Sequence, residues 1–154
     1  MAAPPAYFFD TSALLKRYHA EPGTDAVDVA FAAPSIRIAS DLGLIELLSA
    51  LARRVRMREI TAQDVQSAKA AIAKDIQDNG ALRVEAVGEA DKAEAARLLE
   101  RYGLTQELRT LDALHLAVMR RLGPAALDAV YCADRRLIAI LQAEGFTVIN
   151  PETA

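Results

Sequence analysis

The feature that most constrains the fold is an alternation of short apolar runs with longer segments of helical periodicity. The apolar runs are rich in aromatic or β-branched residues and predict five strands: Ala6–Phe9, Ile36–Ala39, Leu82–Val87, Ala129–Cys132 and Phe146–Ile149. Strands separated by helices imply a parallel sheet covered on both faces, because parallel strands need a crossover connection. The sequence therefore predicts an α/β fold with a central parallel sheet of about five strands flanked by helices.

Seven segments between these strands carry helical signals. They are Thr11–Tyr18, Asp25–Ala32, Leu42–Val55, Thr61–Asp78, Asp91–Tyr102, Leu111–Leu122 and Arg135–Glu144. Several are followed by glycine, which readily adopts the left-handed conformation that ends a helix. No repeat, low-complexity tract or linker interrupts the pattern, so we expect residues 1–154 to form a single domain.

Composition narrows the classes of function. The longest stretch without Asp, Glu, Lys or Arg is residues 1–9, far shorter than the ~18 apolar residues of a membrane span. The start, MAAPPAYFF, lacks the basic region of a signal peptide and is expected to enter a first strand. The single cysteine, Cys132, excludes an intramolecular disulfide and a cysteine-based zinc cluster. These features fit a protein of the reducing cytoplasm.

The distribution of charge is compatible with a local basic patch but not with a basic surface over the whole protein. A formal net charge of −3 argues against a surface that binds nucleic acid everywhere. Basic residues nevertheless cluster at Lys16 and Arg17 and in RRVRMR, residues 53–58, which begins with Arg53 and Arg54. Long cations near helix C-termini are common. RRVRMR is denser than capping requires, so it is a candidate phosphate-contacting face.

Two aspartates stand at the predicted carboxyl ends of strands. Asp10 directly follows the first strand, and Asp134 follows the apolar run AVYCA. Ligands of open parallel sheets bind at this edge, which makes both carboxylates candidates for a site. Each could instead be the N-cap of the next helix, where Asp accepts backbone N–H bonds.

Two further acids lie in apolar helical segments. Glu46 in LGLIELLSALA has no basic residue three or four positions away, so no local ion pair compensates its charge. Asp112 lies in the first turn of a helix for which Thr110 is the better predicted N-cap. Asp112 and His115 share one helical face, so His115 could join a metal site, although a lone histidine in an apolar helix is more often packed and hydrogen-bonded.

Convergence of these four acids would create a site for a hard cation. Four carboxylates close together cannot all ionise without a counter-charge. Oxygen ligands without cysteine favour Mg²⁺ or Mn²⁺. Such an ion activates water and stabilises a leaving oxygen, which suits hydrolysis of a phosphodiester. On this interpretation Asp10 is a ligand rather than only a cap.

Four motifs carry a resemblance to a known family. FFDTSALLKRY, LIELLSAL, LDALHLA and YCADRRL occur in order over nearly the whole chain. Together they strongly resemble PIN-domain proteins, and specifically the VapC-type toxins of toxin–antitoxin pairs. The resemblance implies a PIN-like three-layer fold, Mg²⁺- or Mn²⁺-dependent endoribonuclease activity on RNA, a homodimer and a small antitoxin partner.

The resemblance also implies site residues. The acidic quartet is Asp10, Glu46, Asp112 and Asp134; the first three would hold metal, and the fourth is the most variable in the family. Ser12 stands where a hydroxyl residue commonly supports the first acid. Cys132 stands where the family often has Thr, which makes local support of Asp134 less certain. RNA contacts are expected from nearby cations, namely Lys16, Arg17, Arg53 and Arg54.

Two other functions fit parts of the pattern. A PIN-fold module that binds RNA or protein without efficient catalysis would keep the fold, and Cys132 is the feature in its favour. An aspartate-nucleophile phosphatase or a phospho-receiver domain would also place an Asp at a strand end. Both would require further acids near that Asp, and the phosphatase would require one at the position of Ser12.

Overall fold

The computed structural model describes residues 2–77 and 80–154, in which five strands and seven helices follow the predicted order. The strands are β1 (Ala6–Phe9), β2 (Ile36–Ser40), β3 (Arg83–Glu85), β4 (Ala129–Tyr131) and β5 (Val148–Ile149). The helices are α1 (Thr11–Tyr18), α2 (Thr24–Ala32), α3 (Asp41–Arg56), α4 (Ala62–Gln77), α5 (Glu89–Tyr102), α6 (Thr110–Leu122) and α7 (Arg135–Ala143). The predicted end of the fourth helix, at Asp78 and Asn79, lies outside the described residues.

The strands form one parallel sheet in the order β3-β2-β1-β4-β5. Phe8 of β1 pairs with Ile38 on one side and Val130 on the other, so β1 is the central strand. After β1 the chain adds β2 and β3 on one side, and it then returns to add β4 and β5 on the other. The order therefore reverses between β1 and β4, and the crevice at such a reversal is where open α/β sheets bind ligands. The predicted α/β fold with a parallel sheet of five strands is confirmed.

Alternation along the strands creates a core on each face of the sheet, because successive side chains of a strand point to opposite faces. Phe8 packs with α5, α6 and α7, whereas Phe9 packs with α1, α2, α3 and α4. Leu47 and Leu51 are the buried stripe of α3, and Leu116 belongs to that of α6. The opposite stripe of each helix is free to present polar residues at the sheet edge.

The structure corrects one predicted helix start. Thr110 is the first residue of α6 rather than its N-cap; Arg109 takes the cap position, with no side-chain hydrogen bond. The backbone hydrogen bonds of α6 begin at Arg109, because the amide of Ala113 donates to the carbonyl oxygen of Arg109 at 2.9 Å. Asp112 therefore lies in the first turn of a helix that lacks a side-chain cap.

No helix within the described parts of the chain combines the length and apolarity needed to cross a bilayer.

Candidate active site

Four carboxylates from separate segments line one open cavity of about 510 Å³ at the carboxyl edge of the sheet. Asp10 follows β1 and Asp134 follows β4, on the two sides of the strand-order reversal. Glu46 comes from the second turn of α3, and Asp112 from the first turn of α6. The structure thus brings together the four acids that the sequence singled out.

Asp10 is a helix cap and also a buried carboxylate. It is 5% exposed, and its Oδ2 accepts hydrogen bonds from the amide of Ser12 at 3.1 Å and the hydroxyl of Ser12 at 2.5 Å. Within residues 2–77 and 80–154, no hydrogen bond reaches its Oδ1. Burial raises the pKa of Asp10, although the hydrogen bonds from Ser12 favour the ionised form. The cap role uses one oxygen and leaves the other available.

Ser12 and Cys132 pack beside Asp10. The Ser12 hydroxyl donates to Asp10 and accepts a hydrogen bond from the amide of Ala133 at 3.0 Å. Cys132 Sγ lies 3.7 Å from Asp10 Oδ2 and 3.7 Å from the backbone oxygen of Asp134. Burial raises the pKa of the Cys132 thiol, so it is a neutral, weak donor at pH 7. The unusual cysteine therefore bears on Asp10 as well as on the backbone of Asp134.

Asp134 caps α7, and its side chain is 27% exposed. Its Oδ1 accepts a hydrogen bond from the amide of Arg136 at 2.9 Å, and the Arg136 Nε lies 3.7 Å away. A carboxylate at a helix N-terminus is favoured by the helix dipole. The cap interpretation of Asp134 is therefore satisfied by one oxygen, as it is for Asp10.

Glu46 has two polar partners that the sequence analysis missed. Its Oε2 accepts hydrogen bonds from Thr11 Oγ1 at 2.8 Å and from His115 Nε2 at 2.8 Å. Burial opposes ionisation, but these two hydrogen bonds lower the pKa of Glu46 below its usual range. Glu46 lacks a partner on its own helix, as expected; its partners are supplied from α1 and α6.

Asp112 has the opposite electrostatic character. Burial, followed by the charges of Asp10 and Asp134, raises the pKa of Asp112 to about 6. The Glu46 charge adds to this rise, and a backbone hydrogen bond at Arg109 offsets part of it. Asp112, like Asp10, is therefore an acid whose ionisation a nearby positive charge would favour.

The donor set fits a hard divalent cation without being a closed metal cage. Among the described residues, no three His, Cys, Asp or Glu side chains are arranged closely enough to form a ready-made metal cluster. Mg²⁺ commonly binds through one or two carboxylates and keeps several waters, so such a cluster is not required. Burial and mutual repulsion disfavour ionisation of Asp10 and Asp112, and a bound cation would relieve both. The oxygens of Asp10, Glu46 and Asp112 are suitable ligands.

Two of the four predicted RNA-contacting cations are held in ion pairs away from the acids. The Lys16 side chain is 2% exposed, and its Nζ binds Glu21 at 2.9 Å and Glu152 at 2.8 Å. Arg17 donates to two aspartates, at 3.0 and 3.2 Å. Neither residue lines the acidic cavity. Both positive charges are already matched within the protein.

Other arginines flank the acids more openly. A second cavity of about 550 Å³ shares Glu46 with the first and is lined by Arg53 and Arg54. Arg54 is paired with Glu21 and, at 2.8 Å, with Glu59. Arg53 and Arg109 are exposed and make no ion pair within the described parts of the chain. Arg109 also lines the acidic cavity and was not among the RNA-contacting residues predicted from the sequence.

Comparisons with known proteins agree with this architecture. The sequence matches the PIN domain family over residues 7–148. A comparison with curated proteins finds no significant match. Among solved structures the chain is similar to VapC20 of Mycobacterium tuberculosis, described as a toxin that cleaves the sarcin–ricin loop. The identity is 26% and the TM-score 0.71, over 94% of this chain and 99% of that chain.

Two other solved structures share the fold at lower identity. One is a toxin–antitoxin complex from Klebsiella pneumoniae, at 14% identity and a TM-score of 0.61. The other is FitAcB from Neisseria gonorrhoeae, at 17% identity and a TM-score of 0.62. Each match covers 94% of this chain and 97% of the other.

We expect Asp112 to make the metal-free protein less stable as pH rises. The pKa of Asp112 is about 6 in the folded chain against an ordinary value of 3.8. Between these values the folded chain binds more protons than the unfolded chain, so the free energy of unfolding falls with increasing pH. Between pH 4 and pH 7, the free energy of unfolding of Asp112→Asn should therefore rise by about 1 to 2 kcal/mol relative to that of wild type. This range allows for the partial exposure of Asp112.

Urea unfolding in EDTA at several pH values measures this gain. Asp25→Asn, which changes an exposed aspartate of α2, is the matched control. A constant difference between Asp112→Asn and wild type from pH 4 to 7 would contradict the account of Asp112.

Proposed function

The chain belongs to the PIN-domain family, and from that premise we propose that it is a Mg²⁺- or Mn²⁺-dependent endoribonuclease, the toxin of a toxin–antitoxin pair. The observation that carries the proposal is the cavity in which Asp10, Glu46, Asp112 and Asp134 meet at the reversal of strand order. The VapC20 relative is described as a toxin that cleaves the sarcin–ricin loop and is similar over almost its whole length. We further propose that residues 1–154 form one domain that acts in the cytoplasm.

The four acids take different parts in the proposed reaction. Asp10, Glu46 and Asp112 would hold the metal ion, and Asp134 would complete the acidic site at its open end. When held by these residues, a divalent ion would activate water for hydrolysis of the phosphodiester and would offset negative charge on the leaving oxygen. Ser12 holds Asp10 Oδ2 through a hydrogen bond of 2.5 Å. This contact fixes the carboxylate and leaves Oδ1 for the ion.

RNA must approach an acidic cavity, so its phosphates need cations at the rim. We propose Arg53 and Arg109 as these cations, since both are exposed, free of ion pairs in the described chain and placed on the walls of the two adjoining cavities. Arg54 is a third candidate, although its charge is shared with Glu21 and Glu59. RNA contacts by Lys16 and Arg17 stay predictions. We rank these two residues below the three arginines because their charges are already paired with acidic residues away from the cavity.

We also propose two protein partners for this chain, an antitoxin and a second copy of itself. The Klebsiella pneumoniae neighbour is a toxin–antitoxin complex, and we propose a small antitoxin and a homodimer for this chain. Ile45 and Leu48, with 64% and 38% exposure, lie on α3 beside Glu46, and adjacent exposed apolar side chains often mark an interface. Native mass spectrometry tests the dimer, and a monomer at tens of micromolar (roughly the range of weak dimers) would contradict it.

The alternative is a PIN-fold module that binds RNA or protein with little or no catalysis. The observation in its favour is Cys132, whose sulfur contacts Asp10 Oδ2 at 3.7 Å, too long for a strong hydrogen bond. A thiol supports Asp10 less than the hydroxyl of a threonine at this position would, so such a module would bind metal more weakly. The cleavage experiment distinguishes this alternative from the nuclease.

We expect purified, antitoxin-free protein to cleave RNA with Mg²⁺ or Mn²⁺ and not with EDTA. The substrates are an RNA hairpin carrying the sarcin–ricin loop, suggested by the VapC20 relative, and a mixture of tRNA and rRNA. Asp10→Asn and Asp112→Asn should each slow cleavage by about 100-fold or more, because each removes a carboxylate ligand of the cation that stabilises the transition state. Asp25→Asn, which changes an exposed aspartate outside the cavity, should cleave like wild type.

Each contrary result has a definite meaning. Equal cleavage by wild type and Asp10→Asn would point to a contaminating nuclease and return Asp10 to the role of a helix cap. No cleavage of any RNA, together with a melting temperature that Mn²⁺ does not raise, would favour the non-catalytic module.

We expect Arg53→Gln and Arg109→Gln each to reduce the salt dependence of RNA binding. Loss of one phosphate contact should lower the slope of log Kd against log salt by about 0.7 for a single strand. Fluorescence anisotropy in the Asp10→Asn background measures binding without cleavage. Arg97→Gln, which changes an exposed arginine on α5, is the control. Unchanged slopes in the first two variants, or an equal loss in the control, would contradict the proposed RNA path.

A further inference from the structure

His115 is a buried histidine with a hydrogen bond at each ring nitrogen. It is 1% exposed, in the core-facing stripe of α6. Its Nδ1 lies 2.8 Å from Ser40 Oγ, and its Nε2 lies 2.8 Å from Glu46 Oε2. His115 therefore connects the end of β2 to the acidic cavity.

The network determines which nitrogen carries the proton. Ser40 is the N-cap of α3, and its hydroxyl oxygen accepts a hydrogen bond from the amide of Gly43 at 2.9 Å. The single hydroxyl proton of Ser40 can then be donated to His115 Nδ1, which leaves the ring proton on Nε2. In a protonated ring Nε2 carries a proton as well. In either state His115 Nε2–H donates to Glu46.

Close packing holds this network in one arrangement. A Cβ placed on Gly43 would lie 3.3 Å from Ser40 Oγ and 3.7 Å from His115 Cε1. The same Cβ would lie 3.5 Å from Thr11 Oγ1, the second donor to Glu46. The backbone of α3 thus lies directly against the two donors to Oε2 and against Ser40, which bonds one of them. His115 has little room to rotate away from Glu46.

His115 is poorly suited to bind a metal ion itself. The Nδ1 lone pair accepts from Ser40 when the ring is neutral, and Nε2 carries the proton given to Glu46. The possibility that Asp112 and His115 form a pair of ligands is therefore not supported by this arrangement. His115 does not line the cavity; it contacts Glu46, which does.

We propose that His115, oriented by Ser40, is a positioning residue for Glu46. Its Nε2–H and the Thr11 hydroxyl occupy Oε2, so that Oε1 is presented to the cation; in the described chain no hydrogen bond engages Oε1. Hydrogen-bonding partners of ligating carboxylates commonly fix the orientation of the ligand and its affinity for metal. The inference rests on the proposed function only in taking Glu46 as a metal ligand.

Calorimetric titration with Mn²⁺ in the absence of RNA tests the proposal. His115→Leu removes the donor and should weaken Mn²⁺ binding by about 10- to 100-fold. His115→Gln keeps a donor near the position of Nε2 and should recover most of the affinity. Met119→Leu, a volume-conserving change one turn along the same buried stripe, should bind Mn²⁺ like wild type and controls for repacking of α6.

A double-mutant cycle separates positioning from a general effect on folding. If His115 acts through Glu46, His115→Leu should not weaken Mn²⁺ binding further in a Glu46→Ala background. Urea unfolding measures how much His115→Leu destabilises the protein. The part of this loss that comes from packing should be the same in the Glu46→Ala background as in wild type.

Three outcomes would overturn the proposal: wild-type affinity in His115→Leu, equal losses in His115→Leu and His115→Gln, or no Mn²⁺ binding by the wild-type protein. Intact Mn²⁺ binding with the expected losses, in a protein that cleaves no RNA, would support the positioning role and overturn the proposed nuclease function. The two failures are therefore distinguishable.

Discussion

Repulsion among the carboxylates at the reversal of strand order is the constraint on which the rest of the site depends. Asp10 is buried directly after the central strand, and Asp112 and Glu46 reach the same cavity from helices on opposite faces of the sheet. Each negative charge raises the cost of ionising its neighbours where water is partly excluded. Such a cluster is stable only if the protein or a ligand supplies compensating positive charge or hydrogen-bond donors.

The protein compensates the four acids unequally. Two receive backbone amides at helix N-termini, and Glu46 receives a hydroxyl and an imidazole. The pKa of Glu46 is lowered, whereas the pKa of Asp112 is raised to about 6. Glu46 is thus a carboxylate held ionised by the protein, whereas the backbone hydrogen bond at Arg109 only partly offsets the burial of Asp112 and the charges around it. This difference explains why a cation fits the cavity although no closed group of ligands is formed.

Local patterns in the sequence predicted much of the fold and the identity of the acids. Strand and helix periodicity depends on near neighbours, and Asp10 and Asp134 were recognisable because each directly ends an apolar run. The partners of Glu46 were not predictable in this way, since Thr11 and His115 lie 35 and 69 residues away along the chain. The pairing of Lys16 with Glu152, across 136 residues, was hidden for the same reason. Such contacts follow from the order of strands in the sheet, which periodicity does not specify.

Membership of the PIN-domain family sets aside the phosphatase and phospho-receiver alternatives, and the central question is whether the four acids bind a metal ion. The most direct measurement is an anomalous difference map, collected near the manganese edge, from crystals soaked in Mn²⁺. The account predicts a peak in the cavity about 2.0 to 2.3 Å from carboxylate oxygens of at least two of Asp10, Glu46 and Asp112. An empty cavity in crystals that bind Mn²⁺ elsewhere would contradict it, and would leave Asp10 and Asp134 as helix caps.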